Sequence, residues 1–268
     1  MHVVGCPRSG TTLLTELLRY AFDFAGATPH ETSLFDPIPA HLSPYLTKKP
    51  ADTVRIGRAF LGDEDLHVIA VLRDPRAVVS SRHKARPGQY YVGFARWLLY
   101  AQTIEAFTTH PRYLVVRYEH LLQEPDGVQR QIATFLPHLQ QIRQFSRYPE
   151  GVGELHEHSQ NALNGVRSFD ASRINSWQGH LPRIKQEWQR NPDMPKVLID
   201  HGYEEDDAWV EQLADVEALD GESYKDAGDP AHKRLEVMLR YWWKTRRYLK
   251  QRVVGGSVNG SVDSSTNG

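Results

Sequence analysis

Apolar runs along the first half of the chain alternate with segments of helical periodicity. Runs at 2–6, 67–72 and 113–118 indicate strands, and the run 67–72, which has no polar alternation, suits a strand buried on both faces of a parallel sheet. Apolar positions recur with helical spacing at 11–24, and a further helix is expected at 92–109. Strands that alternate with helices predict an α/β fold with a central parallel sheet flanked by helices.

Glycine and proline suggest where these elements begin and end. Gly26 is expected to close the first helix, and the proline-rich segment 37–50 is expected to be irregular. Pro75 is placed to open a helix that runs to about residue 84. A further amphipathic helix is predicted after Pro125, ending near Leu136.

The C-terminal part reads as mostly helical. A helix at 231–252 carries eight basic residues and one acidic one, interleaved with tyrosine and tryptophan. We expect it to pack its tryptophan and leucine side chains onto the domain; the alternative is contact with an acidic membrane surface or an anionic acceptor. The polar segment 255–268 is predicted to be a disordered tail, which leaves one domain at 1–254.

Charge and cysteine content exclude several classes of protein. The 268 residues include 32 Lys plus Arg and 33 Asp plus Glu, and this balance argues against a generally basic nucleic-acid-binding protein. A single cysteine, Cys6, cannot form an intramolecular disulfide and is expected to be a core residue. No apolar window is long enough for a membrane span, and the first six residues resemble a core strand more than a signal peptide. A cytoplasmic protein is expected.

The segment between the first strand and the first helix is the most informative one. Its glycines, Gly5 and Gly10, have the spacing of a phosphate-binding loop, in which backbone N–H groups and a helix N-terminus face an anion. The lysine of an ATP-binding loop is missing, and the cation lies inside the loop at Arg8. We therefore predict a single P-loop-type domain that binds an anionic group but lacks the usual ATP site; the alternative is a plain turn capped by Thr11.

A second candidate cation follows the second buried strand. Arg73 ends that strand, where open α/β sheets bind ligands, and its guanidinium offers two parallel donors to a phosphate. Ser81, two helical turns beyond Pro75, could add a hydroxyl. The alternative is that Arg73 forms a salt bridge with Asp74 or Glu119.

Together these motifs resemble the sulfotransferases that use 3′-phosphoadenosine 5′-phosphosulfate (PAPS). Their 5′-phosphosulfate loop, P-[KR]-S-G-T-T, is matched in full by Pro7, Arg8, Ser9, Gly10, Thr11 and Thr12. The family's Arg followed eight residues later by Ser, which bind the 3′-phosphate, is matched by Arg73 and Ser81. The resemblance further implies that Tyr118 lies along the nucleotide.

A third segment is similar to one branch of that family. Residues 172–182 resemble the S-x-W-x-G-x-x-P segment of the tyrosylprotein sulfotransferases. The R-x-G-x-x-G loop that covers the 3′-phosphate in cytosolic members is missing from the sequence. Arg173 and Trp177 are the candidates for this role; the alternative is a surface arginine and a packing tryptophan.

The resemblance also suggests a general base. Glu31, in Pro29-His30-Glu31-Thr32, resembles the G-E-E-T segment of the tyrosylprotein members, and His30 is the second candidate. Arg8, with Thr11, Thr12 and the loop N–H groups, would neutralise charge on the leaving phosphate. No metal is expected.

The predicted function is transfer of a sulfuryl group from PAPS, as co-substrate, to a hydroxyl of an acceptor, with release of adenosine 3′,5′-bisphosphate (PAP). The acceptor class stays open among small molecules, glycans, lipids and peptides, as does the oligomeric state. Two alternatives are a P-loop kinase or NTPase with Asp74 holding Mg²⁺, and a non-catalytic nucleotide-binding module.

Overall fold

The fold is described from a computed structural model that covers residues 1–39, 41–83, 85–152, 169–226 and 231–258. Its central sheet has five parallel strands in the order β2-β3-β1-β4-β7. These are β1 (His2–Gly5), β2 (Gly26–Ala27), β3 (Tyr45–Lys48), β4 (Val68–Leu72) and β7 (Tyr113–Arg117), with a separate hairpin of β5 (Arg82–His83) and β6 (Arg86–Tyr90).

Helices cover both faces of the sheet. They are α1 (Thr11–Ala21), α2 (Gly57–Gly62), α3 (Pro75–Val79), α4 (Phe94–Glu105), α5 (Tyr118–Gln123), α6 (Pro125–Phe135), α7 (Tyr148–Gly151), α8 (Leu181–Arg190), α9 (Met194–Asp200) and α10 (Ala231–Val258). Neighbouring residues of one strand enter different cores: Val3 packs with α1 and α6, whereas Val4 packs with α2 and α4. The predicted α/β architecture with a parallel sheet flanked by helices is confirmed.

The strand order places a topological switch point at the carboxyl ends of the strands. β1 lies between β3 and β4, so the chain leaves β1 toward one side of the sheet and later returns on the other side. Open α/β sheets bind ligands at such a switch point, outside the carboxyl ends of the strands. The segments that follow β1, β3, β4 and β7 all begin at these ends, which brings distant parts of the sequence together.

The first helix ends earlier than its apolar pattern indicates. α1 stops at Ala21, Phe22 is extended, and Phe22 forms an isolated antiparallel bridge with Gln141. Gly26 is not the helix cap that we expected, because it belongs to β2 and pairs with Tyr45. Hydrogen bonds to distant segments replace the last predicted turn of the helix.

The proline-rich segment 37–50, predicted to be irregular, contains β3. This strand pairs on one side with β1, where Val3 lies opposite Lys48, and on the other side with β2. The sequence signal is short, because only Tyr45, Leu46 and Thr47 favour a strand and prolines lie on both sides. Hydrogen-bonded pairing with β1 stabilises the strand conformation, for which the local sequence has only a weak preference.

Two site residues lie in elements other than those predicted. α3 ends at Val79, so Ser81 follows the helix; its carbonyl oxygen accepts a hydrogen bond of 2.9 Å from the N–H of Tyr91 as the chain enters the β5–β6 hairpin. Tyr118 opens α5 and does not end β7, because the ladder with β4 stops where Leu72 pairs with Arg117.

The C-terminal helix differs from its prediction in length and in orientation. α10 extends to Val258, four residues into the segment predicted as a tail, and residues 259–268 lie outside the described part of the chain. Its tyrosines, not its tryptophans, pack onto the domain: Tyr241 and Tyr248 contact the ring of Phe35, whereas Trp242 and Trp243 are exposed. Within the described residues, no helix has the length and apolar character needed to cross a membrane.

Candidate active site

The loop between β1 and α1 has the backbone geometry of an anion-binding turn. Arg8 and Gly10 both have positive φ angles, of 76° and 94°. Left-handed residues of this kind turn successive N–H groups toward a common point, where an anion can be held. Gly10 is required for a second reason, because a Cβ at this position would lie 2.3 Å from Cδ2 of Tyr118.

The Arg8 side chain joins the loop to the end of α3. Its Nε donates a 2.6 Å hydrogen bond to Oγ of Ser81, and its guanidinium lies 5.9 Å from the centre of the Tyr91 ring. Burial, together with the neighbouring charge of Arg73, lowers the pKa of Arg8. An arginine nevertheless remains charged at neutral pH, so the loop holds a partly desolvated cation.

Arg73 approaches the same loop from β4. Its Nη1 donates a 3.1 Å hydrogen bond to the carbonyl oxygen of Arg8, and its guanidinium lies 4.2 Å from the centre of the Tyr118 ring. The indole N–H of Trp97 donates to the Arg73 carbonyl oxygen and anchors the backbone. Nε of Arg73 and Oγ of Ser9 are buried and have no hydrogen-bond partner within the described residues. Such groups can still bind an anion.

A third cation, Lys48 at the carboxyl end of β3, joins the loop and was not among the residues predicted from the sequence. Its Nζ donates a 3.1 Å hydrogen bond to Oγ1 of Thr12 and lies 3.6 Å from Oε1 of Glu31. Burial lowers the pKa of this ammonium group, and the Glu31 carboxylate partly opposes the shift. The cue in the sequence is a cation directly after the short run 45–47, but it becomes visible only when that run is recognised as a strand.

The candidate bases lie on the segment that runs alongside Lys48. Glu31 is about half exposed, with 53% of its side chain accessible, and the backbone N–H of Thr32 donates a 2.9 Å hydrogen bond to the Lys48 carbonyl oxygen. His30 is exposed as well. Burial, and to a smaller extent the negative charge of Glu31, raises the pKa of Tyr91, the residue whose ring lies 5.9 Å from the Arg8 guanidinium.

The Asp74 side chain lies beside the site and binds Arg76 at the start of α3. Both of its carboxylate oxygens accept hydrogen bonds from Arg76, one of them also from the Arg76 backbone N–H at the start of α3. Glu119 accepts from the backbone N–H of Asp74 at 2.9 Å. Asp74 therefore forms its ion pair with Arg76 and not with Arg73, and both of its carboxylate oxygens are engaged by Arg76.

The two candidate cover residues lie beyond these contacts. Trp177 is buried with its ring 4.1 Å from the Arg76 guanidinium, and Arg173 forms an ion pair of 3.8 Å with Asp170. The short helix Ala171–Arg173 packs against α5, the helix that Tyr118 opens. Within the described residues, neither candidate forms a hydrogen bond or ring contact with Arg73 or Ser81, so their role over the nucleotide stays a prediction.

Comparison with solved structures finds several sulfotransferases of low sequence identity. The sulfotransferase domain of the Synechococcus PCC 7002 olefin synthase is 17% identical over 66% of this chain and 86% of its own, with a TM-score of 0.46. The sulfotransferase domain of the curacin biosynthetic pathway is 16% identical over 76% and 97%, with a TM-score of 0.48. Mouse sulfotransferase SULT7A1 in complex with PAP is 15% identical over 76% and 88%, with a TM-score of 0.45. These values support no residue-level comparison.

Comparison with family models is decisive. No curated protein matches this chain. The family model described as the sulfotransferase domain matches residues 1–160, which is more than half of the chain and includes the loop, Lys48, Arg73, Ser81 and Tyr118. The chain therefore belongs to the sulfotransferase domain family, the enzymes that transfer a sulfuryl group.

Proposed function

We propose that the domain predicted at 1–254 transfers a sulfuryl group from PAPS to a hydroxyl of an acceptor and releases PAP. The observation that carries this proposal is the convergence of three cations on one loop: Arg8 within it, Lys48 through Thr12, and Arg73 through the Arg8 carbonyl oxygen. Like charges repel, so such a cluster is favourable where an anion of several charges binds between them.

The residues present fit a nucleotide with phosphates at both ends. The loop, Thr12 and Lys48 provide donors for a 5′-phosphosulfate, and Arg73 and Ser81 lie next to it as donors for a 3′-phosphate. Nε of Arg73 and Oγ of Ser9, which have no hydrogen-bond partner among the residues that the structure describes, add buried donors that an anion would satisfy. When bound, PAPS supplies an activated sulfuryl group whose leaving group is a phosphate.

Residues of the chain neutralise charge and accept a proton in the proposed reaction. Arg8 and Lys48 neutralise negative charge on the phosphate side, where preorganised donors contribute most to rate. Glu31 accepts the proton of the acceptor hydroxyl, and the ion pair with Lys48 keeps its carboxylate turned toward the loop. His30, one residue before, is the second candidate for the base.

The kinase alternative is not favoured. The family model is that of sulfotransferases, and both oxygens of Asp74 are occupied by Arg76, so the carboxylate that would hold Mg²⁺ is already engaged. A cytoplasmic location is part of the proposal; the single cysteine, Cys6, is buried as a free thiol and supports a protein that does not depend on disulfides.

Calorimetric titration of the full chain tests the nucleotide assignment. We expect micromolar binding of PAP, no comparable binding of ATP with Mg²⁺, and loss of PAP binding in Arg8→Ala and in Arg73→Ala. Arg147→Ala is a matched control, because the Arg147 guanidinium is exposed and forms an ion pair with the exposed Glu150 three residues further on. Tight binding of ATP without binding of PAP would overturn the proposal.

A further inference from the structure

The C-terminal helix α10 has two faces of different character. Its inner face packs on the domain: Arg55 donates a 2.9 Å hydrogen bond to the Tyr241 hydroxyl, and Tyr248 donates to Asp63. We call the opposite side the outer face, and its apolar side chains are 41–62% exposed. These apolar side chains are Leu235, Met238, Leu239, Trp242 and Trp243.

Basic residues continue the outer face toward the C-terminus. Arg246, Arg247 and Lys250 follow the apolar stripe, and the Arg246 guanidinium lies 5.5 Å from the centre of the Trp242 ring. A recess of about 600 Å³ is lined by Trp243 together with these three cations and Gln251. The exposed surface of α10 thus changes from apolar to strongly basic along one continuous face.

The charge of the helix indicates what this face contacts. Along α10 the sequence has eight basic residues and a single acidic one, Glu236, which is paired with Arg240. Two such helices brought face to face would repel each other, so a second copy of the chain is a poor occupant. The ten residues after Val258 contain one apolar side chain, Val262, so their composition does not make them an apolar partner for the stripe.

We propose that the outer face of α10 docks on the surface of an anionic lipid bilayer. A helix with tryptophan and leucine on one face and lysine and arginine beside them lies in the interface, where apolar burial and attraction to anionic headgroups add together. The recess beside Trp243 offers three cations to a lipid phosphate. The helix lies on the membrane and does not cross it.

Docking would bring the candidate catalytic segment to the membrane surface. The inner face of α10 contacts the residues that follow Glu31: Phe35 packs against Tyr241 and Tyr248, and Lys244 pairs with Asp36 at 3.8 Å. A helix is about 10–12 Å across with its side chains. The segment that carries Glu31 would therefore lie about one helix diameter above the bilayer.

Co-sedimentation of the full chain with vesicles tests this proposal. We expect binding to vesicles of phosphatidylcholine with about one third phosphatidylserine, little binding to phosphatidylcholine alone, and weaker binding as salt is raised, because surface attraction is screened. Inorganic phosphate at millimolar concentration should not displace the protein, since a free anion offers no apolar surface; full displacement would assign the recess to a free phosphate and contradict membrane docking.

Two pairs of variants separate the apolar from the electrostatic contribution. Leu239→Glu with Trp243→Glu, and separately Arg246→Glu with Arg247→Glu, should each weaken binding to anionic vesicles by about tenfold or more. Leu99→Glu on α4 and Lys196→Glu on α9 are controls, because both side chains are exposed elsewhere on the chain and should leave vesicle binding unchanged.

The proposed sulfotransferase site is independent of this test. The outer-face residues contact none of the loop residues within the described part of the chain, so PAP binding by these variants should equal that of the wild type and would also show that they fold. Equal binding to neutral and anionic vesicles, or wild-type vesicle binding by both outer-face variants, would overturn the proposal. So would a concentration-dependent dimer, seen by light scattering, that Trp243→Glu abolishes.

Discussion

The guanidinium of Arg8 donates a 2.6 Å hydrogen bond to the hydroxyl of Ser81, which lies 73 positions further along the chain. The bond connects the loop after β1 to the segment after α3, and therefore joins the two motifs that were recognised separately in the sequence. In the proposed site, the same hydroxyl is a donor to the 3′-phosphate while Arg8 binds the phosphosulfate.

Removal of the Ser81 hydroxyl tests this connection. We expect Ser81→Ala to weaken PAP binding by about tenfold, since a hydrogen bond to a charged group contributes about 1.5–3 kcal/mol. Ser80→Ala is the matched control, because the Ser80 hydroxyl donates to the Ala77 carbonyl oxygen within the end of α3. Equal losses in calorimetric affinity for the two variants would contradict a specific role for Ser81.

Arg8, to which we assign a role in phosphosulfate binding, has an unfavourable backbone conformation. Its φ of 76° costs a non-glycine residue about 1–2 kcal/mol. Arg8→Gly should therefore unfold at higher denaturant concentration than Arg8→Ala, by about 1 kcal/mol in the free energy of unfolding. Both variants should lose PAP binding. A less stable Arg8→Gly would show that the loop is not strained at this position.

Replacement of the candidate bases distinguishes Glu31 from His30. Glu31→Gln keeps the size of the side chain but removes its ability to accept a proton, so we expect kcat to fall by about 10²–10⁴-fold with PAP affinity preserved. His30→Gln should retain most of the activity. If His30→Gln lost its activity while Glu31→Gln remained active, His30 would be the base. If both variants were fully active, the general base would not lie in this segment.

Lys48 predicts a specific dependence on pH. Burial lowers the pKa of its ammonium group below the ordinary value of 10.5, so the folded enzyme loses this charge at a lower pH than the unfolded chain does. We expect kcat/KM to decline on the alkaline side before pH 10.5, and Lys48→Arg to move that decline to higher pH. Lys48→Met should be slow at every pH, whereas Lys49→Met, at the next residue, should behave like the wild type.

The same shift has a consequence for stability. Between the folded pKa of Lys48 and 10.5 the unfolded chain binds more protons, and the free energy of unfolding therefore rises with pH across this window. The free energies of unfolding of the wild type and Lys48→Met, measured by urea titration, should become more similar as the pH rises through this window. A gap that stays constant with pH would show that Lys48 is not desolvated in the folded protein.

Local sequence was sufficient for the elements that are buried and periodic. β1, β4 and β7 are apolar enough to be recognised without partners, and Pro125 and the apolar spacing mark α6. The elements that were predicted wrongly depend on distant segments. β3 forms because β1 and β2 pair with it, and α1 ends at Ala21 because Phe22 bridges to Gln141.

The exposed side of α10 could not be predicted from the helix alone. Its tyrosines and tryptophans are interleaved along the sequence, so the amino-acid pattern is compatible with either set on the inner face. The orientation of the helix depends on contacts with the domain. The Phe35 ring contacts Tyr241, Arg55 forms a hydrogen bond with Tyr241, and Asp63 forms one with Tyr248. With the tyrosines on the inner face, the tryptophans are exposed.

The sequence by itself determined the family, because the loop motif at residues 7–12 and the Arg73 and Ser81 pair are local patterns whose residue types and spacing are typical of it. The base, Glu31, is a prediction from a local motif of the same kind. Only the tertiary structure decided that Lys48 joins them, that Asp74 belongs to Arg76, and that Tyr118 packs beneath Arg73. The physical reason is that these contacts join residues at the carboxyl ends of strands that are far apart in the sequence. The order in which parallel strands pair cannot be read from the sequence of any single strand.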